Sequence, residues 1–109
     1  MYTRFVVVAA LCASLGLQAA ELEVSQKSKL FVLNEAPVRT LSVKLGDSIS
    51  FRNEDPFFHN VFSASKAKDF DLGSYPEGQT RKVVFDKVGG VDVECAIHPG
   101  MKLHVEVQK

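Results

Sequence analysis

The sequence predicts an all-β domain of about seven or eight short strands, a small antiparallel sandwich or barrel. Three observations predict it. Apolar residues recur at every second position along most of the chain, the period of strands with one buried face. Turn-forming residues interrupt that alternation at short intervals. No internal repeat, low-complexity tract or long helical period competes with the pattern.

The chain opens with Arg4, an apolar run from Phe5 to Leu17, and the small residues Ala19 and Ala20. This is the layout of a secretory signal peptide, assigned to residues 1–20, with the mature domain over residues 21–109. The run is shorter than the roughly 20 residues that a membrane span needs, so no span is expected in the mature chain. Leu11 precedes Cys12 where a lipoprotein signal places a small residue, so lipid anchoring is not expected either.

Segments Glu21 to Val24 and Lys29 to Leu33 read as strands. Leu41, Val43 and Leu45 then alternate with Ser42 and Lys44 and stop at Gly46-Asp47, a turn signal. Ile49 and Phe51 alternate with Ser50 and Arg52 and stop at Asn53-Glu54-Asp55-Pro56, a loop-forming cluster. The next strand is entered through Val61. Ser65 to Phe70 alone has helical leanings, enough for a turn or two. Pro76-Glu77-Gly78-Gln79 reads as a turn, because Pro presets one dihedral and Gly frees another. Val83 and Phe85 share a face, and Gly89-Gly90 breaks the chain. Val91, Val93 and Cys95 share the inner face of the next strand. Leu103, Val105 and Val107 point inward from the last one, with His104 and Glu106 outward.

Composition narrows the function. Thirteen basic residues stand against thirteen acidic ones, and loss of Arg4 with the signal leaves a net charge near −1. Phosphate binding needs a clustered excess of Lys and Arg, so nucleic acid is excluded as a partner. About 90 residues make one domain with a modest core. Its single cysteine cannot form an internal disulfide. A thiol in an oxidising compartment oxidises, pairs with another chain or binds a metal.

Neighbouring donors favour the metal. Cys95, His98 and Met101 lie within Cys95-Ala96-Ile97-His98-Pro99-Gly100-Met101, and His59 stands upstream in Phe57-Phe58-His59-Asn60-Val61. A thiolate, two imidazoles and a thioether form the donor set that holds one copper ion in a trigonal site with a weak axial sulfur. The Pro99-Gly100 pair is expected to turn the chain back over the strand end so that the three loop donors converge. Phe57, Phe58, Ile97 and Pro99 are expected to surround the site with apolar surface, and Asn60 to hydrogen-bond across to the ligand loop. Paired cysteines for structural zinc are absent from the sequence. Catalytic zinc avoids thioethers, and a cysteine protease needs a cleft that so small a domain hardly offers, so no enzyme is expected. His104 reads as a solvated strand residue.

The run Gly46-Asp47-Ser48-Ile49-Ser50-Phe51-Arg52-Asn53-Glu54-Asp55, with His59-Asn60-Val61 and the Cys95 to Met101 stretch, resembles the blue copper proteins, or cupredoxins, of the plastocyanin branch. The short Cys-to-Met loop is most similar to that of amicyanin. The resemblance implies a Greek-key β-sandwich with one type 1 copper ion at its end. It implies His59, Cys95 and His98 as equatorial ligands and Met101 as the axial one. It implies a periplasmic one-electron carrier, monomeric, whose redox partners dock transiently near His98 amid Pro56, Phe57, Pro99 and Met101. The alternative is a periplasmic protein that binds and transfers copper without an electron-carrier role.

Overall fold

The computed structural model describes residues 18–109, so most of the segment read as a signal peptide, with Cys12, lies outside the described residues. Ten strands follow: β1 (Glu21–Lys27), β2 (Leu30–Leu33), β3 (Ala36–Pro37), β4 (Thr40–Lys44), β5 (Ser48–Asn53), β6 (His59–Ser65), β7 (Lys68–Tyr75), β8 (Thr80–Val84), β9 (Gly89–Cys95) and β10 (His98–Gln108). They form two five-stranded sheets, in the orders β3-β2-β1-β5-β8 and β4-β10-β9-β6-β7. Non-consecutive neighbours in both sheets make a β-sandwich rather than a meander. Neither sheet is purely antiparallel, because β1 runs parallel to β5 and β4 parallel to β10.

The alternation read from the sequence is the alternation of the core. Val24, Phe31, Ile49, Phe51 and Val83 of the first sheet meet Val61, Val91, Val93, Leu103, Val105 and Val107 of the second, all buried. Burying such side chains stabilises by roughly 1.5–3 kcal/mol each, which is what orders a chain of this size. The deeply buried Tyr75 keeps its hydroxyl satisfied by donating to Gln26 Oε1 at 2.8 Å.

Two readings are corrected. Ser65 to Phe70 is no helical turn: Lys66 and Ala67 make the tight connection between β6 and β7, and Ser65 pairs with Lys68. Strand pairing there overrides a weak local preference. Leu45 is 45% exposed instead of inward, because β4 ends at Lys44. The Asp47 N–H donates to Lys44 O at 2.9 Å, closing a turn through Gly46 at φ 97°. The expected turn at Pro76 to Gln79 is present, with the Gln79 N–H donating to Pro76 O at 3.2 Å.

Topology positions the site. β10, β9 and β6 are consecutive neighbours in the second sheet. β6 and β9 pair antiparallel through Val61 and Cys95, so the first residue of β6 and the last of β9 lie at the same edge of the sandwich. His98 pairs with Cys95 across the intervening turn.

Candidate metal centre

His59 opens β6 fully buried, and Cys95 closes β9 at 2% exposure. Both side chains follow the inward alternation of Val61 and Val93, so each points into the end of the core. Cys95 Sγ lies 3.5 Å from His59 Nδ1 and 3.5 Å from His98 Nδ1. The two imidazole centroids are 4.9 Å apart. One donor atom from each of the three residues falls within 4.8 Å of the other two. Three donors at these separations subtend an ion about 2.0–2.3 Å from each, the bond lengths of a first-row metal to nitrogen and sulfur.

The reversal that delivers His98 differs from expectation. Ala96 and Ile97 make the turn, and Pro99-Gly100 belong to an irregular stretch of β10. The register jumps between His98 and Lys102, so Pro99 to Met101 have no partners on β9. Such an insertion re-aims side chains at the rim of a sheet. Met101, which ends it, is buried at 1% exposure.

Hydrogen bonds around the donors come largely from two residues. The Asn60 N–H donates to Cys95 Sγ at 3.4 Å, and the Ala96 N–H donates to Asn60 O at 3.0 Å. The expected tie from Asn60 to the ligand loop is thus made by its backbone. His59 Nε2, the nitrogen facing away from the sulfur, lies 2.7 Å from Asp55 Oδ2. Burial opposes ionisation of Asp55, but the hydrogen bond from His59, those from the Lys29 and Ser28 amides and the charge of His59 outweigh it. Its carboxyl is held below the usual range, as a carboxylate with several donors requires. Asn53, fully buried, braces the same loop: its Nδ2 donates to Phe57 O at 2.8 Å and Tyr75 O at 3.0 Å, and its Oδ1 accepts from the Asp55 N–H at 2.8 Å.

The chain matches no family model. It is 32% identical over 68 residues to the methylamine utilization protein MauL of Methylorubrum extorquens, covering 62% of this chain and 60% of that protein. Among solved structures it superimposes on a proline-to-glycine variant of amicyanin in its reduced Cu(I) form, with a TM-score of 0.69 and 22% identity, over 81% of this chain and 82% of that one. A copper-containing nitrite reductase from Thermus scotoductus matches at a TM-score of 0.71 and 22% identity, over 85% of this chain and 23% of that one. The fold is that of the cupredoxins.

Within this cupredoxin fold the cluster of His59, Cys95 and His98 suits a type 1 copper site, with one sulfur and two imidazole donors. His98 is the half-buried member. Burial, then the neighbouring His59 and Lys29, lowers its pKa from the usual imidazole value against the opposing pull of Asp55. Phe57 packs against both imidazoles, at 5.4 Å from His59 and 5.3 Å from His98 between centroids. Phe58 and Ile97, expected to enclose the donors, are instead 53% and 54% exposed. Pro56 and Pro99 are exposed as well, so this end of the cupredoxin domain carries four solvent-facing apolar side chains.

Asp55 and Asn53 were legible only as a loop-forming cluster. Their signal was present nonetheless, since two Asx residues bracketing a strand end just before a ligand histidine can cap backbone amides and orient the ring.

Proposed function

We propose that this protein is a type 1 copper protein of the periplasm that carries single electrons between redox partners. The observation that carries the reading is the closure of Cys95 Sγ with two imidazole Nδ1 atoms at 3.5 Å each. Copper bound there supplies a one-electron exchange between Cu(II) and Cu(I), which this mixture of soft and borderline donors supports.

The residues of the chain supply the rest. His59, Cys95, His98 and Met101 would hold the ion. The rigid sheet edge holds them against rearrangement, with His59 tied to Asp55 and Cys95 to the Asn60 amide. Burial of His59 and Cys95 excludes water. His98 presents its ring toward the exposed apolar end, so a partner docking over Phe58, Ile97 and Pro99 comes close to a donor of the site. Redox encounters of this kind use small interfaces, below roughly 1,200 Å².

Export through the signal peptide fits the same reading. Cleavage after Ala19 keeps Ala20, whose N–H donates to Asp47 Oδ1 at 2.8 Å and whose carbonyl accepts from the Ser48 N–H at 3.0 Å. A mature chain starting at Ala20 retains both anchors.

The test is the visible spectrum of the purified mature chain on addition of Cu(II). An intense blue thiolate-to-metal charge-transfer band is expected, and a colourless product overturns the assignment. Reversible electrochemistry with slow loss of copper to a chelator marks an electron carrier. Ready exchange without reversible electrochemistry marks a copper carrier.

A further inference from the structure

The β1–β2 hairpin turns on two residues, Ser28 and Lys29, both in the left-handed region at φ 55° and 59°. Two consecutive positive φ values in a two-residue hairpin loop form the conformation that usually calls for Asn-Gly. Neither Ser nor Lys is suited to it, because a Cβ crowds the following carbonyl in the left-handed region. A carboxylate outside the hairpin ties it. The Ser28 N–H donates to Asp55 Oδ1 at 2.6 Å and the Lys29 N–H to Asp55 Oδ2 at 3.1 Å.

The same Asp55 Oδ2 lies 2.7 Å from His59 Nε2. Three N–H groups therefore converge on two carboxylate oxygens, two from the strained turn and one from a ring whose other nitrogen faces Cys95. A ring that donates from Nε2 leaves the Nδ1 lone pair pointing at the sulfur. Lys29 contributes a second tie, with its ammonium 5.7 Å from the centroid of Phe57, the ring wedged against both imidazoles.

We infer that Asp55 is a positioning residue that fixes His59 as its Nε2–H tautomer and couples the orientation of that ring to the β1–β2 hairpin. The inference deepens the proposed copper site, since it concerns the donor geometry of His59, but its primary test needs no metal.

In metal-free wild-type protein near pH 8, where an ordinary imidazole is neutral, long-range nitrogen–proton correlation is expected to show His59 as the Nε2–H tautomer alone. Asp55→Asn supplies one acceptor oxygen where two are used. With that oxygen on the His59 and Lys29 side, its amide group meets the Ser28 N–H. The tautomer is expected to persist while amide exchange at Ser28 rises at least tenfold. Asp55→Ala removes both oxygens: both His59 tautomers appear, and Cu(I) affinity measured against a competing chelator falls about 10–100-fold, the usual loss when a carboxylate behind a ligand histidine is removed. An Nδ1–H tautomer in the wild type overturns the inference. So does unchanged Ser28 exchange in Asp55→Asn, or a single tautomer with affinity within twofold of wild type in Asp55→Ala. Should Asp55→Ala fail to fold, the wild-type and Asp55→Asn measurements still decide. If the wild type binds no copper, the proposed function fails and the tautomer and exchange results stand by themselves.

Discussion

Replacing Cys95 with serine exchanges sulfur for oxygen in a position that is both packed and chemically committed. The serine hydroxyl is slightly smaller and still accepts from the Asn60 amide that now bonds the sulfur. A buried hydroxyl that keeps such a hydrogen bond avoids most of the roughly 1–3 kcal/mol that an unpaired one costs. In the proposed site, loss of the sulfur removes the donor that selects copper. A ligand that binds only the folded state at 100 times its dissociation constant stabilises by about 2.7 kcal/mol. Thermal melts should therefore show a copper-dependent rise of the transition for the wild type and none for Cys95→Ser. A rise in both would remove Cys95 from the site. His104 offers a contrasting residue. Its Nδ1 lies 2.8 Å from Asp92 Oδ1 and its Nε2 3.0 Å from Glu106 Oε1. Those hydrogen bonds, Asp92 first, raise its pKa above 6.5 despite slight desolvation. The stability it contributes is thus fully present below 6.5 and is lost as pH rises through the raised folded value. At 39% side-chain exposure solvent screens the pair, so the effect is a few tenths of a kcal/mol. Urea unfolding of wild type and His104→Gln should show a stability difference near pH 5.5 that shrinks near pH 8.5. A constant difference would mean that the charge of His104 plays no part.

At the level of elements, Gly89 is the tightest constraint. It begins β9 at φ 141°, and a Cβ there would lie 2.9 Å from the Cβ of Ala67 in the β6–β7 turn. Non-glycine residues in that region of backbone space cost on the order of 1–3 kcal/mol. Gly89→Ala should lower unfolding free energy by about 2 kcal/mol in urea titrations, and a loss below about 0.5 kcal/mol would show that β9 can shift at its start. β4, β5, β9 and β10 were readable in the sequence, because each strand carries an alternating apolar set, but Gly89-Gly90, expected to break the chain, instead opens β9 and pairs with Val107 and Glu106. β7 was not readable. Its Asp69-Phe70-Asp71-Leu72 segment alternates, but it lies at the edge of its sheet, half-buried at most, and pairing with β6 rather than local preference decides the structure. The ligand loop was half readable. Donor identity and spacing were plain, but the chain reverses at Ala96-Ile97 because His98 pairs directly with Cys95, a tertiary register that no turn propensity encodes. Asp55 was hidden for the same reason: its three donors come from β1–β2 and β6, which only the folded sheet order brings together.

On the scale of the whole molecule, the end of the sandwich that carries His59, Cys95 and His98 presents an apolar surface. Pro56, Phe58, Ile97 and Pro99 face solvent there, beside the half-buried His98. With thirteen acidic and thirteen basic residues in the full chain, long-range steering is weak. Contact at this apolar end therefore sets how often two molecules meet productively, and electron self-exchange between two copies of the copper-loaded protein reads it without any other partner. Ile97→Glu places a charge in that patch while leaving the donors in place, since the side chain is 54% exposed and outside the core cluster. In a symmetric encounter the two new charges face each other, and like charges across an interface cost several kcal/mol. Self-exchange measured by NMR line broadening should fall more than tenfold, the thiolate absorption should not change, and added salt should restore part of the rate by screening. If the rate holds at low salt, electrons leave the protein by another face. The role of His98 as the exit would then fall even if its role as a ligand stands.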